Sequence, residues 1–226
     1  KTMNMKKIRL AIISIVLLIN VNQLSAQTII NNDSVNKNRA YIRVGIEPAT
    51  MLTLGYQRNL KPGLLKQPLT VFGEWSVSAF RFNVKNSEFK AGGILPVFEK
   101  GNFKIVNNLN LSVGSVETSN FNSFKTAVAD EVAIGFYKQK WFFATTVEYE
   151  KILLNHLKHN EIYKQNYYED PVDGWYKGAG GMFQFGIEGG RTFYEKYDVH
   201  LEIKMPFTEK FNFYGGSPFH VNLGLA

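Results

Sequence analysis

The feature that most constrains this chain is an alternation of apolar and polar residues with a period of two. In Tyr197–Met205, every odd-numbered residue is apolar and every even-numbered residue is ionisable. Successive side chains of a β-strand point to opposite faces, so this pattern predicts a strand with one apolar and one charged face. The same alternation recurs in Trp141–Lys151 and Asn108–Gly114, which together predict an all-β fold.

Followed along the chain, the alternation predicts ten long strands. They are expected at about residues 40–48, 50–60, 69–80, 87–98, 102–117, 124–138, 141–153, 177–191, 196–206 and 217–226. Most have roughly 9 to 15 residues, whereas about 5–6 is usual in globular proteins and about 9–11 suffice to cross a bilayer with tilt. We therefore expect a transmembrane antiparallel up-and-down β-barrel of about ten strands, with eight as the alternative count.

The predicted connections support the same topology. The even-numbered ones include tight turns at 99–101, 139–140 and 192–195, whereas the odd-numbered ones include the longer segments 154–176 and 207–216. Short periplasmic turns and longer external loops are typical of outer-membrane barrels. An even strand count places both ends of the barrel in the periplasm.

Aromatic residues on the apolar faces lie near the predicted strand ends, as in the interfacial girdles of such barrels. They are Tyr56, Trp75, Trp141, Phe143, Tyr149, Phe183, Phe185, Tyr197 and Phe219. The alternative is a soluble β-sandwich or lipocalin-like barrel, whose apolar face points inward. The charged faces are rich in glycine and glutamate and lean to one sign, which favours the membrane barrel.

The N-terminal residues predict export. A basic segment ending at Arg9 precedes the apolar run Leu10–Ile19, and a short polar segment closes with Leu24-Ser25-Ala26. This is the plan of a secretory signal peptide, and the apolar run is shorter than the about 20 residues that span a bilayer. We expect a signal peptide at 1–26, a polar periplasmic leader at 27–38 and an outer-membrane β-barrel at 39–226.

Composition excludes several classes of function. The chain has no cysteine, which excludes disulfides, thiolate metal sites and a cysteine nucleophile. Without residues 1–26 it has 22 basic and 19 acidic residues, a net charge of +3, and no run rich in Lys and Arg. Charge and export therefore both argue against a nucleic-acid partner.

With its export signal, its ten alternating strands and the final Phe219-x-Val221-x-Leu223-x-Leu225, the chain resembles the small outer-membrane β-barrel proteins of Gram-negative bacteria. That porin-like family is typified by the OmpA transmembrane domain and OmpX, and the resemblance covers about residues 38–226. It implies location in the cell outer membrane and folding by the barrel-assembly machinery. In the family the last strand usually ends in an aromatic residue, whereas here the last residue is Ala226.

If the apolar faces meet lipid, the charged faces line the lumen. We expect a lumen charge network of Arg43, Glu47, Glu74, Lys90, Glu131, Glu148, Glu150, Glu188, Glu202 and Lys204. The same faces carry Gln57, Asn108, Asn110, Gln184, Asp198, His200, His220 and Asn222. Side chains fill barrels of about eight to ten strands, and buried charges must pair, so a largely plugged lumen is predicted. The surplus of carboxylates leaves a narrow cation-preferring pore as the alternative.

The segment Leu154–Tyr176 is predicted to be the longest external loop. Its aromatic residues suit contact with a partner, or equally an aromatic cap on the barrel rim. The contact residues are Tyr163, Tyr167, Tyr168 and Trp175. His156 and His159 lack a third fixed ligand, so no metal site is predicted.

Evidence for an enzyme is weak. Asp198-Val199-His200 matches the Asp-x-His pair of proteases in the family that this chain resembles. Those proteases act at the outer rim, whereas this motif lies beside a predicted periplasmic turn. No histidine is followed two residues later by serine, and no phosphate loop, nucleotide fingerprint or triad occurs. We therefore expect no catalytic residues and no cofactor.

The sequence thus predicts an outer-membrane barrel with a structural or interaction role. Its expected partners are outer-membrane lipid, the barrel-assembly machinery during biogenesis and another envelope protein. The alternative is the narrow pore for small solutes, and the third hypothesis is an outer-membrane enzyme that modifies lipid or peptide.

Overall fold

The computed structural model describes residues 38–47, 49–60, 68–79, 84–161, 164, 172–178, 180–194, 197–212 and 218–226. The predicted signal peptide at 1–26 and the leader, apart from Asn38, lie outside the described residues. Within those ranges, no helix has the length and apolar character needed to cross a membrane.

Eleven β-strands account for most of the described residues. They are β1 (Asn38–Glu47), β2 (Ala49–Leu60), β3 (Leu69–Ser78), β4 (Ser87–Lys100), β5 (Phe103–Glu117), β6 (Phe121–Lys138), β7 (Trp141–His159), β8 (Gly174–Lys177), β9 (Gly181–Phe193), β10 (Tyr197–Thr208) and β11 (His220–Leu225).

Ten of these strands form a closed antiparallel ring. Pairing runs in sequence order from β1 to β7, passes from β7 to β9, β10 and β11, and returns to β1. The closing pairing sets Ile42 opposite Leu225 and Ile46 opposite Val221. Closure pairs both edges of each ring strand, which removes the open edge that invites aggregation. The prediction of an antiparallel up-and-down barrel of ten strands is confirmed.

The alternation in sequence becomes an alternation between the lumen and the exterior. In β10, His200, Glu202 and Lys204 are buried inside the barrel, whereas Leu201 and Met205 are exposed on its outside. The pleat fixes this, because a shift of one residue would move every charged side chain to the outside. The soluble alternative required the apolar faces to point inward, and the structure places them outward.

The exterior of the barrel carries a continuous apolar surface. Its exposed side chains include Ile42, Val44, Leu54, Tyr56, Trp75, Phe89, Leu109, Leu111, Val113, Ile134, Phe136, Trp141, Phe143, Val147, Phe185, Ile187, Leu201, Met205, Leu223 and Leu225. Monomeric soluble proteins rarely expose apolar patches above a few hundred Å². A surface of this kind needs a covering, and the side chains of the ring are suited to lipid.

The two ends of the barrel differ. The terminal end, which carries Asn38 and Ala226, has tight turns at Gly101–Asn102 and Gln139–Lys140. Gly101 has φ of +61°, a conformation that glycine adopts at little cost. At the opposite end, β7 continues above the ring, and this end is called the hairpin end.

The hairpin end corrects the prediction of a loop over Leu154–Tyr176. β7 runs to His159 rather than ending near residue 153, and β8 pairs with its upper part, with Leu154 opposite Lys177 and Leu157 opposite Gly174. A register shift opposite Thr126/Ala127 leaves Leu153 as an extra residue in β7. Such a bulge changes which residues face inward, so strict alternation fails there although the strand continues.

Candidate functional site: the charged lumen

The centre of the lumen is a group of four charged side chains, called here the Lys204 cluster. It consists of Lys204 on β10, Glu202 on the same strand, Glu131 on β6 and Glu148 on β7. The Lys204 ammonium donates to Glu131 Oε2 and, at 2.7 Å, to Glu148 Oε2, and it lies 2.7 Å from Glu202 Oε1. Each of these side chains is at most 10 % exposed, so water contributes little to screening their charges.

The local sequence explains why Lys204 reaches three partners. Glu202 and Lys204 are two residues apart and so share the lumenal face of β10. Glu131 and Glu148 stand opposite each other in the β6–β7 register. At Gly186, beside Lys204 on β9, an added Cβ would lie 2.6 Å from Lys204 Cγ and 2.8 Å from the Ile203 carbonyl oxygen. The glycine therefore makes room for the lysine stem.

A second ion pair lies on the opposite wall. Arg43 Nη2 donates to Glu74 Oε2 at 2.8 Å, and the Tyr41 hydroxyl donates to Glu74 Oε1 at 2.6 Å. Lys90 stands opposite Glu74 in the β3–β4 register. Both oxygens of this buried carboxylate are thus bonded, which offsets part of the cost of removing it from water.

A third set of charges lies nearer the hairpin end. Lys125 donates to Glu150 Oε1 at 3.2 Å and lies 3.6 Å from Glu88 Oε1. Toward the terminal end, Glu188 Oε2 lies 3.4 Å from His200 Nε2, and the Tyr137 hydroxyl donates to Glu188 Oε1 at 3.5 Å.

Aromatic and aliphatic side chains pack together inside the lumen toward the terminal end. Phe142 stacks on Tyr137 with ring centroids 5.6 Å apart and on His200 at 5.8 Å. We call the buried cluster around these rings the plug. It comprises Phe72, Ile94, Val106, Ala133, Tyr137, Phe142 and Ala144. Strands β3 to β7 all contribute to the plug, and Tyr137 and Phe142 reach across the lumen to Glu188 on β9 and His200 on β10.

Above the plug the lumen contains a cavity of about 730 Å³. It extends from Phe72 and Ile94, which belong to the plug, past the Lys204 cluster to Thr118 and Phe121 at the hairpin end. The plug therefore lies at one end of this cavity, and the cavity continues from it toward the hairpin end.

Nine of the ten residues of the predicted lumen network have side chains that line the lumenal cavity. Lys204, Glu131, Glu148 and Glu202 form one cluster, and Arg43 with Glu74 forms another, as described above. The side chain of Glu47 lies outside the described part of the chain.

The prediction omitted four charged lumenal residues, one of which is Arg39 on the inward face of β1, near Asp198. Glu88 and Lys125 form the upper set, and Lys104 is buried near the terminal end, 3.0 Å from Glu99. The period of two did contain the signal, because Glu88 has the parity of Lys90 and Lys104 that of Asn108. Two lysines and an arginine against one glutamate reduce the carboxylate surplus on which the pore alternative depended.

The motif Asp198-Val199-His200 lies in the closed part of the lumen. Both ionisable side chains are buried, and His200 contacts Glu188 and Phe142. This position is at the end opposite the hairpin and away from the external rim, where the protease resemblance would place its pair. The geometry therefore gives the enzyme hypothesis no support.

One of the four predicted contact residues lies on the β7–β8 hairpin of the described structure. Trp175 lies on β8, is 62 % exposed and packs against His156, with the two ring centroids 4.9 Å apart. Tyr163, Tyr167 and Tyr168 lie outside the described residues. Within the described ranges, no group of three or more histidine, aspartate or glutamate side chains is arranged to hold a metal ion.

Asp173, which directly precedes β8, forms hydrogen bonds to His159 at the end of β7 and to Lys164. It accepts hydrogen bonds from the His159 backbone N–H at 2.8 Å and from Lys164 Nζ at 2.7 Å, and His159 Nδ1 lies 2.9 Å away. The backbone hydrogen bond, followed by those of the two side chains, holds the pKa of Asp173 well below its usual range. The contribution to hairpin stability is therefore present above the unfolded pKa of about 3.9 and is lost as pH falls below it.

We predict that Asp173→Asn loosens the hairpin at neutral pH. The probe is the fluorescence anisotropy of Trp175 in a chain that has no other tryptophan. At pH 7 the anisotropy should be lower with Asp173→Asn than with the original Asp173. With the original Asp173, it should fall only in acid, below about pH 3.9. Glu161→Gln is the control, because Glu161 is exposed and its contact with Lys164 is long, with 3.7 Å between Oε1 and Nζ. Equal anisotropy for Asp173→Asn and Glu161→Gln at pH 7 would rule out this role of Asp173.

No protein-family model matches the chain, and no curated protein matches it. Among solved structures it is similar to a chain described as "KdgM porin", at 10 % sequence identity, covering 82 % of this chain and 96 % of that one, with a TM-score of 0.34.

Proposed function

We propose that this protein is an integral outer-membrane barrel with a closed lumen, which acts as a structural or contact protein of the cell envelope. In this proposal the signal peptide directs export, the terminal end lies in the periplasm and the hairpin end lies outside the cell. The barrel anchors the β7–β8 hairpin, whose exposed aromatic residues meet a partner such as another envelope protein.

The observation that carries the proposal is the distribution of side chains across the barrel wall. Apolar side chains lie outside on every strand of the ring, and the buried ion pairs of Arg43 with Glu74 and of Lys204 with Glu131 and Glu148 lie inside. A bilayer requires an apolar exterior about 25 Å tall and satisfied backbone groups, which a closed barrel provides. In this proposal the plug and the Lys204 cluster together close the lumen to a continuous aqueous path, which the packing of the Tyr137, Phe142 and His200 rings supports.

The three tryptophans of the chain allow a direct test of insertion. Trp75 and Trp141 are each 43 % exposed on the outside of the ring, whereas Trp175 lies on the hairpin. We expect brominated lipids to quench Trp75 and Trp141 in reconstituted single-tryptophan variants, with the other two changed to phenylalanine. Trp175 should keep its emission and be quenched by iodide added to the water.

The three variants serve as controls for one another because they share one barrel. Quenching of all three by brominated lipid would place the hairpin in the membrane and contradict its contact role. Quenching of none, in a preparation with the shifted gel mobility of a folded barrel, would contradict membrane insertion.

A narrow cation-preferring pore is the second candidate, and the cavity of about 730 Å³ with carboxylates in its wall favours it. Conduction would require a path through the plug. In this case Glu148→Gln and Glu150→Gln should change the cation preference of a measurable current, because acidic groups along a narrow passage select cations.

A further inference from the structure

The lumenal cavity has the dimensions of a ligand site. Its volume of about 730 Å³ falls within the range of about 300–1,000 Å³ that is usual for small-molecule sites. The plug closes it toward the terminal end, and its wall reaches Thr118 and Phe121 at the hairpin end. A solute would therefore enter and leave at the hairpin end.

The charges in the cavity wall are unequal. The described lining includes seven carboxyl groups, from Glu74, Glu88, Glu131, Glu148, Glu150, Glu188 and Glu202. It includes four lysine and arginine side chains, from Arg43, Lys90, Lys125 and Lys204, and two histidines, His200 and His220. The remaining surplus of carboxylates in a partly dehydrated space favours a cation, since buried charge must be compensated.

Two asparagines of β5 supply an independent observation. Asn108 and Asn110 share the lumenal face and line the cavity, and the Oδ1 atom of each is buried without a hydrogen-bond donor among the described residues. Asn110 is only 5 % exposed. A buried acceptor without a donor costs about 1–3 kcal/mol in general, so both amides favour an occupant that donates hydrogen bonds.

The two features coincide on one wall. Asn108 stands opposite Glu131 in the β5–β6 register, and Glu131 stands opposite Glu148 in the β6–β7 register. Three neighbouring strands thus present oxygen acceptors to the same part of the cavity. The Lys204 ammonium, held by three carboxylates, shows which chemical group this wall accommodates.

We propose that the cavity binds a small organic cation whose ammonium groups donate hydrogen bonds to Asn108 and Asn110 and are neutralised by the surplus carboxylates. A bare metal ion fits less well, because within the described ranges no three acidic or histidine side chains converge on a metal position. The proposal rests on the closed lumen in one respect only, since the plug makes the cavity a binding site rather than a passage.

The test is calorimetric titration of the full chain, refolded in neutral detergent, with 1,4-diaminobutane. The matched probes are 1,4-butanediol, which donates hydrogen bonds but has no charge, and succinate, which has the opposite charge. We expect saturable one-site binding of the diamine, binding of the diol weaker by about tenfold or more, and no binding of succinate.

Asn110→Ala should weaken binding of the diamine by about tenfold, the usual effect of losing one hydrogen bond to a charged group. The matched control is Asn107→Ala on the same strand. Asn107 faces the other side of the wall, where it donates to Asp130 Oδ1 at 2.5 Å, so its removal should leave the affinity unchanged.

Absence of saturable diamine binding, or equal heats for the diamine and succinate, would overturn the proposal. So would an affinity that Asn110→Ala leaves unaltered. Conductance of the same preparation separates the two proposals. If the barrel conducts and binds the diamine, the closed lumen is contradicted and the binding site is retained. If the barrel is silent and binds no diamine, only the binding site is contradicted.

Discussion

Lys204→Met is expected to lower the free energy of unfolding by about 3–5 kcal/mol, because it leaves three buried carboxylates without their shared cation. Glu131, Glu148 and Glu202 all depend on this ammonium. Methionine keeps the unbranched stem beside Gly186, so the loss reports the charge rather than the volume. The measurement is equilibrium urea unfolding of the refolded barrel, followed by tryptophan fluorescence.

The matched control is Lys85→Met, since Lys85 also pairs with a glutamate, at 3.0 Å, but its side chain is 70 % exposed. Its loss should cost about 0–1 kcal/mol. Adding Glu131→Gln to Lys204→Met should restore part of the stability by removing one uncompensated charge. A Lys204→Met barrel as stable as the Lys85→Met barrel would show that the cluster does not hold the lumen together.

Removing both stacked rings of the plug is expected to turn a silent barrel into a conducting one. In the double variant Tyr137→Ala/Phe142→Ala, the two rings that reach β9 and β10 are lost, which opens the section between the cavity and the terminal end. Each truncation also costs stability, about 3–5 kcal/mol for a buried phenylalanine. Planar-bilayer recordings of the variant should therefore show steady openings.

The adjacent Phe143 provides the control, because it is an aromatic residue of the same strand exposed on the outside of the barrel. Phe143→Ala should remain silent. Only preparations with the heat-shifted mobility of a folded barrel are compared. A folded double variant that never conducts would mean that these rings are not what closes the lumen.

Most of the fold could be predicted from sequence because the period of two is a direct consequence of the pleat. The prediction departed from the structure where that period is interrupted. Leu153 is an extra residue in β7, so the alternation appeared to end there. Gly178 and Gly180 have φ of +59° and +103° and lie between β8 and β9, so the strand predicted at 177–191 begins only at Gly181, and β8 falls in the segment predicted as a loop. Neither interruption has a signature as plain as alternation.

The composition of the lumen was predictable, but its pairing was not. Parity alone places Glu131, Glu148 and Lys204 on one face. Their convergence depends on the register between strands that are distant in sequence. The plug was missed because apolar side chains were expected outside, whereas Phe142 shares the inward parity of Ala144. The predicted signal peptide and three of the predicted contact tyrosines lie outside the described residues.

In the proposed function, the barrel crosses the membrane without forming an open channel. The most direct test is single-channel conductance of the refolded chain in a planar bilayer, with heat-shifted gel mobility and brominated-lipid quenching of Trp141 as evidence of folding and insertion. We expect an inserted barrel that shows no steady openings. Steady cation-selective openings of the unsubstituted chain would contradict it and would make the lumenal carboxylates the lining of a pore.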